Sequence, residues 1–393
     1  MPNHLPMPNN PSSKKLRIGL LFGGRSGEHE VSLTSAASVL KALDPAKYEV
    51  VPIGITREGS WRVGRAAEKL LPGSGQQSSG LEKVLPDVLK SGKPVMASAD
   101  PTIPQLVPMN STSLAKSQPQ IDVIFPVLHG TFGEDGTVQG LLELAGIPYV
   151  GAGVVASATG MDKDVMKRLF RDAGLPVVRW VLVLRSEWEG GPAGVRNVIE
   201  NEIGYPLFVK PANLGSSVGI SKVRSARQLS AALDLAALYD RKILVECAVD
   251  AREIECAVLG NDHPQASVPG EIIPVNEFYD YEAKYVKEGS NIIIPARLTH
   301  RQTKRVKEYS VRAFQAIDCA GMARVDFLLD RKNSKVFVNE INTIPGFTPI
   351  SMYPKMWEAT GVPYAQLLDR LIELALERHE EKLRTKFTFQ LPK

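Results

Sequence analysis

Late in the chain, Ala323-Arg324-Val325-Asp326-Phe327 is followed by Phe337-Val338-Asn339-Glu340-Ile341-Asn342 and then by Pro345-Gly346. Both segments alternate apolar and polar residues, the period of a strand, and Asn333 and Ser334 between them supply turn chemistry. The expected product is an antiparallel hairpin with Arg324 and Asp326 on one face of the first strand and Glu340 and Asn342 on one face of the second. Asp326, Glu340 and Asn342 offer hard oxygen donors beside a guanidinium, which suits Mg²⁺ bridging a polyphosphate, because that ion borrows further oxygens from phosphates. On these residues alone, an exposed hairpin of alternating charge fits equally.

Other segments carry chemistry of the same kind. Val209-Lys210-Pro211-Ala212-Asn213-Leu214-Gly215-Ser216-Ser217-Val218-Gly219 sets a lysine at a strand end before a loop of small residues, whose backbone N–H groups can wrap phosphate oxygens. It lacks the G-x-x-x-x-G-K-[ST] spacing of a P-loop, and such a loop is also a common turn. Gly151-Ala152-Gly153-Val154-Val155-Ala156 matches a dinucleotide fingerprint, but the acid that should end a second strand, Asp172, falls inside a helical run, so that reading fails. Glycine-dense loops at 23–32 and 128–136 each follow a strand. They bring Glu28 and His129 to one carboxyl edge of a parallel sheet, where α/β domains bind ligands.

The elements that position these residues are legible in outline. Leu16 to Phe22, a helix from about Val31 to Leu43 and Tyr48 to Ile55 form a βαβ opening. Between about 56 and 120 the sequence loosens, with Gly73-Ser74-Gly75-Gln76-Gln77-Ser78-Ser79-Gly80 as its extreme. It reads as a surface insertion that buries little, from which about Pro72 to Ser91 should be removable. A strand from Ile121 to Leu128 and a helix from Thr137 to Ala145 resume the domain. A helix from Met161 to Ala173 and a linker at Gly190-Gly191-Pro192 lead to a central α+β portion with an antiparallel sheet. A long helix near Arg301 to Ile317, the hairpin and a helix near Tyr364 to Leu383 complete the chain.

Composition bounds the function classes. The chain has 393 residues, 44% hydrophobic and 23% charged, with a net charge of +4 and no basic tract that would track a nucleic-acid backbone. Cys247, Cys256 and Cys319 lack metal-ligand spacing and read as buried thiols of a reducing compartment. Residues 1 to 15 have no apolar signal core and read as a flexible extension, and no apolar run reaches the ~18 residues of a membrane span. The expectation is a cytoplasmic protein that engages neither nucleic acid nor membrane.

Taken together, the motifs identify a resemblance to the D-alanine–D-alanine ligases of the ATP-grasp superfamily, running from about Leu16 to Arg378. It rests on segments in the family's order: 23–32, Leu128-His129-Gly130, Gly133-Glu134-Asp135-Gly136-Thr137, Met161-Asp162-Lys163, the 210–219 loop, Tyr279-Asp280-Tyr281-Glu282-Ala283-Lys284-Tyr285, and the hairpin. The implied fold combines an N-terminal parallel α/β domain (16–151), a small central α+β subdomain (152–260) and a C-terminal subdomain with an antiparallel sheet (261–393).

The implied activity joins two D-alanines with cleavage of ATP through an acyl phosphate, using Mg²⁺ or Mn²⁺ as two ions, in a homodimer that supplies peptidoglycan precursors. Asp326, Glu340 and Asn342 match the metal ligands, and Lys163, Lys210 and Lys284 the ATP-phosphate ligands. Glu246, Cys247, Val249 and Glu253 match the adenine and ribose contacts, with Ser217 and Phe278 also at ATP. Arg324 and the Gly346 N–H match the oxyanion site. Glu28 matches the residue that binds the first ammonium, completed by Ser216 and Tyr285, while Ser351 and His129 match groups near the second D-alanine. Two alternatives remain within the fold: a D-alanyl-D-lactate ligase, against which Tyr285 argues because ester-forming relatives tend to carry Phe there, and a non-catalytic nucleotide-binding module, against which the complete metal set argues.

Overall fold

The computed structural model describes residues 15–64, 81–103, 105–109, 120–215, 218–273 and 291–387, organised around three sheets. Leu16–Gly23 (β1), His29–Ala42 (α1) and Tyr48–Ile55 (β2) form the βαβ opening. Trp61–Val63 (β3), Leu81–Ser91 (α2), Lys93–Ala97 (β4) and Leu106–Pro108 (β5) follow, then Val123–Pro126 (β6) and Thr137–Leu144 (α3). The strand order is β5-β4-β3-β2-β1-β6, with β2, β1 and β6 parallel and β3 to β5 added antiparallel. Residues 56–120 are therefore not a loose insertion wherever they are described. They widen the sheet by three short strands, and α2 buries Leu85 and Val88 in the main core. The expectation that 72–91 is removable is corrected on the same ground, because deletion would take α2 out of that core.

The helix expected from Met161 to Ala173 forms as Lys163–Asp172 (α5), and a further helix, Val154–Met161 (α4), precedes it. Asp162 breaks the run. Its backbone is extended, and its carboxylate accepts the Asp164 and Val165 N–H groups at 3.1 Å, an N-cap that starts α5 at Lys163. The glycine pair of the failed dinucleotide fingerprint turns the chain into α4, with Gly153 at its N-cap.

The second sheet is antiparallel, β7-β10-β8-β9, from Trp180–Leu184 (β7), Leu207–Pro211 (β8), Ser221–Val223 (β9) and Lys242–Cys247 (β10). Arg185–Gly190 (α6) and Pro192–Glu202 (α7) meet at Gly191 of the expected linker, α7 forming where a helix near Val195 to Ile203 is expected, and Ala226–Tyr239 (α8) lies between β9 and β10. Leu207, Val209 and Val245 join the sheet's helix-covered core with Ile199, Leu229 and Leu233. Period 2 then sends Phe208, Lys210, Leu244 and Glu246 to the opposite face.

The third sheet contains Ala251–Gly260 (β11), Gln265–Ala266 (β12), Gly270–Ile273 (β13), Asn291–Ile293 (β14), Gly321–Asp330 (β15) and Val336–Asn342 (β16), in the order β14-β13-β11-β15-β16 with β12 on β11. β11, assigned to the central subdomain from sequence, pairs with β15 from Ala251 to Gly260, so the change of sheet falls between Cys247 and Ala251. Its helices are His300–Ala316 (α9), Met352–Thr360 (α10) and Tyr364–Leu383 (α11). One core runs from Ile18, Leu20 and Phe22 of the first sheet to Tyr353, Trp357, Leu368 and Leu371 of α10 and α11. The first and third sheets are thereby fixed to each other by apolar burial.

Candidate active site

The expected antiparallel hairpin forms, with Arg324 opposite Asn342 and Asp326 opposite Glu340. Strict alternation would have failed here, because Val336 and Val338 would then share a face with Glu340. A β-bulge in β16, where Asp326 pairs with Glu340 and the next residue, Phe327, pairs with Val338 so that Asn339 is left over, resolves the conflict. The bulge lets Val338 and Ile341 both reach the core while Glu340 faces the opposite way. Glu255 of β11 lies opposite Asp326 and extends the acidic row to three strands. The Arg324 fork grips both Asp326 oxygens at 2.7 Å and approaches Glu255 at 3.1 Å. Burial would lower the Arg324 pKa, but Asp326 and Glu255 outweigh it and raise it.

After Asn342 the chain turns into a buried loop. The Asn342 amide oxygen accepts the Ile344 N–H at 3.1 Å. Phe347 packs edge-on to Phe125 at 5.9 Å and against Tyr353 and Tyr364. Between these anchors sits Gly346, where a Cβ would come 2.7 Å from the Ser351 hydroxyl. Ser351 accepts the Thr348 N–H at 3.0 Å and is the N-cap residue of α10, so the positive end of that helix opens beside Gly346.

The opposite wall comes from the first sheet. Glu28 starts α1 and is 8% exposed. Gly130, at φ 75°, has no room for a side chain, because a Cβ would stand 2.8 Å from a Glu28 carboxylate oxygen. His129 is 5% exposed, and burial lowers its pKa despite Glu28, so it is neutral near pH 7. Its tautomer follows from its partners. Nδ1 lies 3.2 Å from the Ile344 carbonyl, which only accepts, so the proton is on Nδ1. Nε2 then accepts from the Ser35 hydroxyl at 3.1 Å, and Ser35 accepts the Phe347 N–H at 3.3 Å. Two residues of the first sheet's domain thus hold the chain on both sides of Gly346.

The lysines gather on the open face of the second sheet. Glu246 is shared by Lys210 and by Lys167 of α5, the latter at 2.6 Å with 1% and 3% of the side chains exposed. Burial alone would raise the Glu246 pKa, but the two ammonium groups pull it down to about 2. Burial dominates at Lys167 and lowers its pKa, while at Lys210 the pull of Glu246 overrides burial and raises it. Glu340 acts on both lysines, tying this cluster to the hairpin. Lys163 donates to the Leu214 carbonyl at 2.8 Å, under the 210–219 loop. The Cys247 N–H is taken by the Arg179 carbonyl at 3.0 Å, Val249 is half-buried on the crossing to β11, and Glu253 shares the hairpin-facing side of β11 with Glu255.

Ser216, Ser217, Phe278, Lys284 and Tyr285 lie outside the described residues. Sequence reasoning missed Glu255, Lys167 and Ser35 as site residues. Glu255 was findable, since Glu253-Ile254-Glu255 alternates on one strand, whereas Lys167 and Ser35 become legible only once α5 and α1 are placed. Asp326, Glu340 and Asn342 fit a hard divalent cation in donor type and register. Among the described residues no three His, Cys, Asp or Glu side chains form a group able to hold a metal ion. The set is two carboxylates and an amide, the partial shell that Mg²⁺ completes with phosphate and water oxygens.

The family model described as D-ala D-ala ligase N-terminus matches residues 17–152, and that described as D-ala D-ala ligase C-terminus matches 169–373. The chain is 50% identical over 379 residues to the D-alanine–D-alanine ligase of Heliobacterium modesticaldum, covering 96% of this chain and 99% of the relative. It is 49% identical to that of Geobacillus thermodenitrificans over 96% of this chain and 100% of the relative. Among solved structures, the D-alanine-D-alanine ligase of Coxiella burnetii superposes with a TM-score of 0.80 at 40% identity, covering 95% of this chain and 97% of that one. A D-Ala:D-Ser ligase of Enterococcus faecalis also gives a TM-score of 0.80, at 37% identity over 92% of this chain and 100% of that one.

Proposed function

The chain belongs to the D-alanine–D-alanine ligase family and joins two D-alanines at the expense of ATP, and from that premise we propose how its own residues divide the work. Lys163 and Lys210 hold the ATP phosphates, with Glu246 keeping Lys210 charged. Glu246, Cys247, Val249 and Glu253 line the nucleoside end. Asp326, Glu340 and Asn342 hold Mg²⁺ or Mn²⁺, whose charge offsets that of the polyphosphate when bound.

Glu28 binds the first D-alanine through its ammonium and leaves the carboxylate toward the phosphates. That carboxylate takes the γ-phosphoryl group, giving an acyl phosphate and ADP. The α10 N-terminus with Ser351 orients the second D-alanine by its carboxylate. Its neutral amine forms a bond to the acyl carbon, the carbonyl oxygen becomes an oxyanion, the C–O bond to phosphate breaks, and the amine's surplus proton leaves. Arg324 and the Gly346 N–H face the oxyanion, where fixed donors cost no reorganisation as charge develops. His129 and Ser35 act through the loop rather than on substrate.

The observation that supports this division most is the joint placement of Arg324, Asp326, Glu340 and Asn342 in one register leading directly into Gly346. The family is also the ground for proposing a homodimer that works in the cytoplasm; no described helix is long and apolar enough to cross a membrane. Phosphate release from ATP tests the reading, with D-alanine, L-alanine, D-serine or D-lactate offered as second substrate beside D-alanine. Dipeptide from D-alanine alone, with the other three far slower, is the expected result. Comparable turnover with D-lactate would assign the chain to ester formation instead.

A further inference from the structure

Glu134 has no part in the roles set out above, yet it stands inside the same pocket. It lies on the loop between β6 and α3 and is 9% exposed. Its Oε1 accepts the Gly130 N–H at 2.9 Å, and its own N–H returns a bond to the Gly130 carbonyl at 3.1 Å. Its other oxygen, Oε2, is buried and has no hydrogen-bond partner among the described residues. Glu28 stands close enough to act on its charge. A Cβ built on Gly215 would stand 3.1 Å from a Glu28 oxygen and 3.8 Å from Glu134 Oε1, so the two carboxyl groups converge on one glycine from two elements. An acceptor buried beside a second carboxyl group with no partner among the described residues is unfavourable unless a cation arrives to satisfy it.

We propose that Glu134 is a second carboxyl group of the amine pocket, sharing the ammonium of the first D-alanine with Glu28 and releasing a proton to solvent as that ammonium binds. The balance is one protonated carboxyl group and one ammonium going to a carboxylate paired with that ammonium plus one free proton. The charged groups around Glu134 agree with a resting proton. Burial first, and Glu28 second, push its pKa up to about 8, against the Gly130 N–H, Lys163 at the start of α5 and Arg324 of β15. The other titratable groups of its loop are engaged elsewhere: His129 is neutral and bonded to Ile344 and Ser35, and Asp135 accepts the Phe132 and Thr137 N–H groups. The proton is therefore held below about pH 8 without substrate and displaced by the ammonium.

The test is calorimetric titration of D-alanine into the full-length protein with adenylyl imidodiphosphate and Mg²⁺, in buffers of different ionisation enthalpy. Wild-type protein at pH 7 is expected to release close to one proton per first D-alanine bound, and much less at pH 9, where Glu134 is already ionised. Glu134→Gln keeps the acceptor for the Gly130 N–H but has no proton to give. It should release none and raise KM for the first D-alanine roughly tenfold or more, with the second KM unchanged, as expected for loss of a charged hydrogen bond. Wild-type binding without proton release overturns the proposal even if the variant does not fold. So does a variant that still releases the proton, or one that shifts only the second KM. The proposal rests on the ligase reading, and the two fail differently: a wild-type protein that does not bind D-alanine sinks that reading, whereas binding without a proton sinks only this one.

Discussion

Replacing Ser35 with Ala tests whether the Gly346 N–H is aimed by residues that never touch substrate. In the native chain the Phe347 N–H donates to Ser35, Ser35 donates to His129 Nε2, and His129 Nδ1–H donates to the Ile344 carbonyl, at 3.3, 3.1 and 3.2 Å. Ser35 is fully buried, so no bulk water replaces the hydroxyl. The alanine variant leaves a buried N–H and a buried imidazole acceptor without partners, at about 1–3 kcal/mol each before relaxation. The Phe347 ring remains held by Phe125, Tyr353 and Tyr364, so the loop stays folded and about 2–3 kcal/mol is the expected loss of stability. The catalytic effect has a ceiling of about 10²–10³ in kcat, the cost of losing one oxyanion donor outright. A loosened donor should cost about 10- to 100-fold. Steady-state phosphate release across D-alanine concentrations should show that fall in kcat with KM for ATP unchanged, alongside a lower urea midpoint. A variant whose midpoint drops while kcat stays within about twofold would refute the positioning argument, since the bonds would then support the fold and not the donor.

The hairpin, the lysine cluster and the first sheet yield further expectations. Asp326→Asn keeps the size of the side chain but removes charge from both the proposed metal set and the Arg324 fork; turnover at saturating Mg²⁺ should fall at least ~100-fold with an unchanged circular dichroism spectrum. Glu246→Gln leaves two buried ammonium groups without their shared counter-charge and should cost about 3–5 kcal/mol in urea unfolding, with part recovered when Lys167→Met is added. Because the Glu246 pKa in the fold is about 2 against an ordinary 4.5, its contribution of about 3 kcal/mol is complete above about pH 4.5 and disappears as pH falls toward 2, which acid unfolding of wild type against Glu246→Gln will resolve. Leu85→Ala should cost about 2–5 kcal/mol by thermal or urea unfolding, an effect that a removable surface segment would not show.

How far the sequence carried depended on whether local pattern and tertiary placement agreed. The hairpin and the faces its polar residues share were legible because period 2, a turn and oxygen donors coincide between Ala323 and Asn342. The bulge that makes the register compatible with a buried Val338 was not, since it answers to packing against α9 rather than to any local preference. The segment around α2 was misjudged because Gly73 to Gly80 dominates its composition, its strands Trp61–Val63 and Leu106–Pro108 are too short to show alternation, and Pro86 sits inside the helix. Yet Leu81, Leu85, Val88 and Leu89 carry a helical repeat that points to burial. Glu134 lay in plain view within Gly133-Glu134-Asp135-Gly136. The sequence brought its loop to the same sheet edge as Glu28, but it could not show that Glu134 Oε2 is buried with no partner among the described residues.

The three sheets are joined in two different ways, and the difference separates binding from chemistry. The first and third share one apolar core, which fixes Glu28, Glu134, His129, Arg324 and Gly346 relative to one another. The second sheet keeps its own core and meets α5 through polar contacts: Lys167 with Glu246, Lys242 with Asp162 and Asp164, and the Trp180 indole with Asp164 at 3.1 Å. Apolar burial is indifferent to charge arriving nearby, whereas ion pairs respond to every new charge within reach. Polyphosphate binding at Lys163 and Lys210, as proposed above, would therefore act on the ionic seam first, by competing with Glu246 for Lys210. The proposed oxyanion donor at Gly346, on the loop that His129 and Ser35 anchor across the apolar seam, would keep its geometry meanwhile. Changes at Lys167 or Lys242 accordingly belong with KM for ATP, and changes at Ser35 with kcat, because the two groups of residues answer to different forces.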